Sequence, residues 1–248
     1  MIGRIIHIFG EPWTWKSHLG VSVVEHVEGD LEIFDFDNNL QAVLPKFSKH
    51  EKRIKVHNCP IPAVMGTDQF VPDPAKYQAD QVWRRVATIY KKACDSPTTG
   101  SILLDTDTVF YQIARENRML QVIAEGKEAG KNRTTLSTFE YGPINIWMKQ
   151  VLDYAKTKGK TLILLSHARR VYGPDDEPTE DWESDGWGKT RAAADIDLQT
   201  LRPNSNSDVL LLCHKSTFHP KLPRVGLPCS WETVETLCQG KLPKKESK

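Results

Sequence analysis

Apolar residues along this chain gather in short, dense runs. RIIHIF (4–9), LEIFDF (31–36), SILLDT (101–106) and TLILLSH (161–167) have strand length, and polar or helical sequence follows each. Runs of that kind belong to parallel strands buried on both faces. DVLLLCH (208–214) is a fifth such run, and IDLQTL (196–201) just before it a further strand, both suited to one edge of the same sheet. Between the runs the period changes. In 77–94, Val82, Trp83, Val86, Ile89, Tyr90 and Ala93 recur at helical spacing. A second helix takes Pro143 into its first turn, builds a face from Ile144, Trp147, Met148, Val151, Leu152 and Ala155, and ends at Lys156, Lys158 and Gly159. HLGVSVVEHV (18–27) reads as another helix. Strands alternating with helices predict an α/β fold: a doubly wound, mostly parallel sheet with ligands at the carboxyl ends of its strands.

Two segments break the pattern. Residues 111–140 carry Arg115, Arg118, Lys127, Lys131 and Arg133 on a partly helical stretch, and 168–192 are too polar and turn-rich for a core. Both read as long loops, which in a compact domain are functional or disordered. No repeat and no Gly/Ser linker divides the chain. Residues 1–240 therefore read as one domain, and 241–248 as a basic flexible tail.

With 248 residues, the chain is long enough for an ample core, and its net charge of +1 excludes a protein coated in positive charge. No run approaches the ~20 apolar residues of a membrane span. Five cysteines without a C-x-x-C spacing suit a reducing cytoplasm. Cys213, His214, His219, Cys229 and Cys238 cluster near the end, but their spacing fits core packing better than zinc.

The chemistry concentrates in IFGEPWTWKSHLG (8–20). It follows a strand and precedes a helix, as a phosphate-binding loop must. Gly10, Glu11, Pro12, Trp13, Thr14, Trp15, Lys16, Ser17 and His18 would cradle the phosphates of ATP. Lys16 would reach the β and γ phosphates, and Ser17 would offer its hydroxyl to Mg²⁺. Trp15 stands where such loops have a second glycine. SILLDT ends in Asp105, the place for a carboxylate on the metal side. No glutamate follows it, so a group that activates water must come from elsewhere. Asp37, with Asp35 as second choice, ends the second strand and is the candidate general base. Against it stands the plainer view that D-x-D-N-N is a polar turn. His167 ends the fourth strand, where it could sense the γ-phosphate or simply face solvent.

In the order G-E-P-x-x-x-K-S, D-x-D, L-L-D-T, YGPINIWMKQVLDYAKTKGKTLILLSH and AAADIDLQTL, the chain resembles the RecA-like P-loop ATPases of bacteriophages over roughly residues 4–217. That group includes enzymes accompanying single-strand annealing and recombination proteins. The resemblance implies a RecA-like core, ATP and Mg²⁺ as cofactors, and action on single-stranded DNA in recombination, repair or replication. It further implies a homo-oligomer in the cytoplasm (the host's, for a phage protein), with an annealing or single-strand-binding protein as partner. By position it makes Asp37 the counterpart of a catalytic glutamate and His167 that of a polar sensor. It turns 111–140 and 168–192 into DNA-facing loops, with Arg115, Arg118, Lys127, Lys131 and Arg133 on phosphates and Tyr111 or Trp187 stacking on bases. Lys215 falls near residues that reach into a neighbour's site. Three departures stand out: Trp15 for glycine, Asp37 for the longer glutamate, and the acidic run DDEPTEDWESD (175–185). The competing function is a nucleotide-binding scaffold or loader with little hydrolysis. A small-molecule or nucleotide kinase is less favoured, for want of an Arg-rich lid.

Overall fold

The computed structural model describes residues 3–59, 78–128, 135–219 and 226–241. All six expected runs form strands, and three more complete a mixed sheet of nine. In chain order the strands are β1 (Ile5–Gly10), β2 (Asp30–Asp35), β3 (Ile54–Asn58), β4 (Thr99–Asp105), β5 (Thr161–Tyr172), β6 (Pro178–Asp185), β7 (Ile196–Leu201), β8 (Leu210–Ser216) and β9 (Leu227–Pro228). The helices are α1 (Lys16–Ser22), α2 (Ala79–Asp95), α3 (Asp107–Glu128), α4 (Tyr141–Thr157), α5 (Thr190–Ala193) and α6 (Trp231–Cys238), with a 3-10 helix at Leu44–Arg53.

Neighbours in the sheet run β3-β2-β4-β5-β1-β7-β8-β9, and β6 pairs with β5 off this path. From β3 to β7 every pairing is parallel, while β6, β8 and β9 pair antiparallel. The parallel strands feed two apolar layers because successive side chains point to opposite faces. On β5, Leu162 and Leu164 join Val86 of α2, Ile113 of α3 and Met148 of α4. Ile163 and Leu165 join Leu19 of α1, Phe47 of the 3-10 helix and Trp231 of α6. Each such side chain contributes about 1.5–3 kcal/mol by leaving water. Helices thus cover both faces of the sheet. The chain leaves β1 through α1 for β2, three positions away, and later fills the gap with β4 and β5. A reversal of this kind opens a crevice at the carboxyl ends of the strands.

The helical stripes hold as read. On α4, Ile144, Met148, Leu152 and Ala155 are buried, and Pro143 occupies the first turn. A reciprocal cap between Ser137 and Glu140 leads into it. Tyr90 donates to the carbonyl of Val151 at 2.7 Å, tying α2 to α4.

Both segments read as loops are mostly regular structure. In 111–140, α3 runs on to Glu128 and a 3-10 turn forms at Thr138–Glu140, while Lys131 and Arg133 lie outside the described residues. Residues 168–192 are not a loop: β5 runs on to Tyr172, β6 returns from Pro178 to Asp185, and α5 follows. This hairpin projects beyond the sheet and has no apolar face to advertise it. Polar and aromatic pairs hold it across the strands, Arg169 to Glu183 at 2.9 Å and Arg170 over the Trp182 ring at 5.1 Å. Of the proposed tail, only Lys241 is described. Among the described residues no helix is long and apolar enough to cross a membrane.

Candidate functional site

The loop between β1 and α1 begins at Gly10, where a Cβ would collide with the hydroxyl and carbonyl of Thr200 on β7. Only glycine allows that approach. Trp13 and Trp15 then adopt φ of 65° and 62°, the left-handed region that bulky residues avoid, and Thr14 between them does not. The backbone therefore keeps the turn expected of glycines while carrying two indoles, whose rings stay out in solvent (Trp13 is 89% exposed). Alternation of this kind aims successive N–H groups into one concavity suited to anions. Thr14 braces the loop from below, donating to the Glu11 carbonyl at 2.6 Å and meeting the Thr200 hydroxyl at 2.7 Å.

Lys16 folds back over this loop and donates to the carbonyls of Gly10 and Glu11, each at 2.8 Å. Burial draws its pKa down to about 8, against the opposing pull of Asp105, Asp37 and Glu11. On the other side of Lys16, Ser17 turns its hydroxyl to the carboxyl of Asp105 at the end of β4. Asp105 is buried, and its Oδ2 has no hydrogen-bond partner. Burial, joined by the negative charges of Asp37 and Asp35, pushes its pKa up to about 6; Ser17 and Lys16 only partly offset this. A buried carboxylate oxygen without a partner is costly unless a ligand completes it. Beside a serine hydroxyl it makes a hard, all-oxygen donor pair, which fits Mg²⁺.

Asp37 completes the group. Its Oδ2 lies 2.8 Å from Nε2 of His167, and this hydrogen bond, outweighing burial, raises the histidine's pKa. Asp35 does different work. It accepts from the Asn38 N–H at 2.7 Å and caps the turn after β2. D-x-D-N-N is thus a turn held by its first aspartate, while the second lies beside His167 and near Lys16. Burial pushes the Asp35 carboxyl up, against that turn's N–H groups. The structure brings Lys16, Ser17, Asp105, Asp37 and His167 together. His18 stands at the margin, its ring 5.1 Å from those of Trp15 and Phe47.

The expected DNA contacts do not gather there. Arg115 sits 5.8 Å from the rings of both Tyr111 and Tyr141. Arg118 is turned onto Glu125 at 2.8 Å, and Lys127 is exposed. α3 carries four carboxylates, Asp107, Glu116, Glu125 and Glu128, against these three cations, so its composition is not basic. Trp187 is buried and donates to Asn145 at 2.7 Å, so it offers no stacking face. Lys215 does not reach outward: its ammonium donates to the carbonyls of Ala192 and Ala194, both at 2.6 Å. In the suspected zinc cluster, Cys213 and Cys238 belong to the apolar core and His214 lies 2.8 Å from Gln199.

A second polar cluster escaped the sequence reading. His7, fully buried on β1, places Nδ1 2.6 Å from Asp197 and Nε2 3.0 Å from the Ser166 hydroxyl. Ser184 of β6 approaches the same Nε2 at 3.2 Å, and Arg191 donates to the other oxygen of Asp197 at 2.7 Å. The signal was a lone histidine in RIIHIF and a lone aspartate in IDLQTL, which the register sets side by side. Neither protein-family models nor curated protein sequences give a match to this chain.

Proposed function

We propose that this protein is a P-loop ATPase with a RecA-like core, binding ATP with Mg²⁺ between the β1–α1 loop and the end of β4. One observation carries it: Lys16 and Ser17 of the loop meet Asp105, from a distant part of the chain, where a buried carboxylate oxygen lacks a partner. The sheet order adds support, since β5 with His167 lies between the loop strand and the Asp105 strand.

Lys16, now on the loop's own carbonyls, would exchange them for the β and γ phosphates, and anionic oxygens would restore its full charge. Ser17 and Asp105 would hold Mg²⁺, which neutralises charge developing on the phosphates. Asp37 would take the proton of a water aligned with the γ-phosphate. His167, bonded to Asp37, fixes the orientation of that carboxylate. The single-stranded DNA role, the annealing partner and the homo-oligomer rest on the resemblance. The described cations of α3 add little to them.

Isothermal calorimetry with Mg-ATP is the direct test. Lys16→Ala should weaken binding by about 10²-fold, the worth of charge-assisted hydrogen bonds to two phosphates. Unchanged affinity removes the nucleotide site. In the same assay series Asp37→Asn should bind normally yet turn over about 10²-fold more slowly. A wild-type protein that binds tightly and does not turn over, with or without single-stranded DNA, is the scaffold instead.

A further inference from the structure

We propose that Thr108 is a positioning residue for hydrolysis: its hydroxyl fastens both strands of the β5–β6 hairpin to the segment that carries Asp105, and so sets His167 against Asp37. This inference rests on the roles given above to Asp37 and His167. Thr108 stands three positions after Asp105, in the first turn of α3. Its Oγ1 accepts the backbone N–H of His167 at 3.0 Å and donates to the carbonyl of Asp185. His167 and Asp185 face each other across the hairpin, and His167 neighbours Gly10 on its other side. One hydroxyl thus joins the hairpin base where β5 leaves the phosphate-loop strand.

Ordinary helix capping does not account for this contact. A threonine hydroxyl near a helix start commonly serves its own backbone. Here Thr106 takes that part, accepting from the Val109 N–H at 3.4 Å, and Thr108 points away to another element. The hairpin also lies close against this stretch: a Cβ on Gly186 would come within 3.4 Å of Asp107 Oδ2 and 3.5 Å of Thr108 Cα. One residue deeper, His7 touches Ser166 and Ser184, the residues preceding His167 and Asp185. The base is therefore tied twice. The inner tie is sealed in the core, and the outer tie sits on the segment leading from Asp105. A shift at Thr108 reaches His167 through a single backbone hydrogen bond. The imidazole then faces Asp37, with the charges of Lys16 and Asp105 beside it.

The test compares Thr108→Val, which keeps the shape and removes the hydroxyl, with Thr108→Ser, which keeps the hydroxyl. Two quantities are read: ATP turnover against Mg-ATP affinity, and the titration of His167 followed by NMR. Thr108→Val should lower kcat about tenfold while affinity changes less than about twofold, because only an orientation is lost. In the same variant the His167 titration should fall back toward the ordinary histidine range as Asp37 loosens. Thr108→Ser should restore both. Should the valine variant not fold, Thr108→Ala is read in the same way. Wild-type turnover and an unmoved His167 titration in the hydroxyl-free variant overturn the proposal, as does an equal loss of affinity and turnover. A wild-type protein without turnover removes the hydrolytic reading alone, and the His167 titration still decides whether Thr108 sets the imidazole.

Discussion

Asp105 and Asp197 are both buried carboxylates on parallel strands, yet their surroundings oppose each other. Asp197 has every oxygen engaged, one by His7 at 2.6 Å and the other by Arg191 at 2.7 Å. Burial pushes its pKa up, but His7 and Arg191 outweigh that and hold it below the usual range. Asp105 has a serine hydroxyl, a lysine occupied elsewhere and one unpaired oxygen, so burial wins. A filled network stabilises the fold, and a half-filled one stores free energy for a ligand. Asp107 lies between the two cases. Thr190 meets its Oδ2 at 3.0 Å, while its Oδ1 is unpaired and burial raises its pKa.

The largest expected effect comes from breaking the filled cluster. Asp197→Asn should destabilise the protein by about 3–5 kcal/mol, because it removes the buried negative charge and leaves one acceptor oxygen where Arg191 and the His7 ring each use one. Urea denaturation at neutral pH reads this. A loss below about 1 kcal/mol would mean the cluster is not closed in solution, and the contrast with Asp105 would vanish.

The opposite sign is expected at Asp105. Its folded pKa, about 6, lies above the unfolded value, so the native state binds the extra proton. Stability is then present at low pH and is lost as pH rises from about 4 to about 6. Asp105→Asn removes that loss and should stabilise the nucleotide-free protein by about 1–2 kcal/mol at pH 7.5, less than the shift alone implies because Lys16 loses a counter-charge. The wild-type decline over that pH range should flatten in the variant, and its affinity for Mg-ATP should fall. If it is less stable at pH 7.5, Asp105 is a paired structural carboxylate like Asp197.

The two clusters also differ in how far the chain reveals them. Lys16, Ser17, Asp105, Asp37 and His167 each follow or close an apolar run, so linear order places them at one rim of the sheet. The strands themselves were readable because Ile33, Leu103 and Ile163 sit in runs buried on both faces. His7 and Asp197 are 190 residues apart, and each alone is a stray polar residue in an apolar run. Only the β1–β7 register makes them partners. The hairpin was hidden for the converse reason. Arg169, Glu183 and Tyr172 give it no face to bury, and without a buried face its residues look like loop. IKVHN of β3 is short and half-exposed, which blurs its alternation in the same way.

The smallest expected effect separates strain from contact at Trp15. Its φ of 62° costs an L-residue about 1–2 kcal/mol relative to glycine. Against that stand two contacts, the His18 ring at 5.1 Å and the Lys46 ammonium 5.4 Å from the indole centre. At an exposed site each is worth about 0.5–1 kcal/mol. Glycine removes the strain and both contacts, and adds about 0.5–1 kcal/mol of unfolded-state entropy. Trp15→Gly should therefore lie within about 1 kcal/mol of wild type. Alanine loses the same contacts and keeps the strained backbone, so Trp15→Ala should be less stable than Trp15→Gly by about 1 kcal/mol. In most of a folded chain alanine is the better of the two, and here the order should invert. Denaturant midpoints of the three proteins decide it. Alanine equal to or above glycine would mean that residue 15 is not left-handed in solution, and that the loop is as relaxed as the Asp197 cluster.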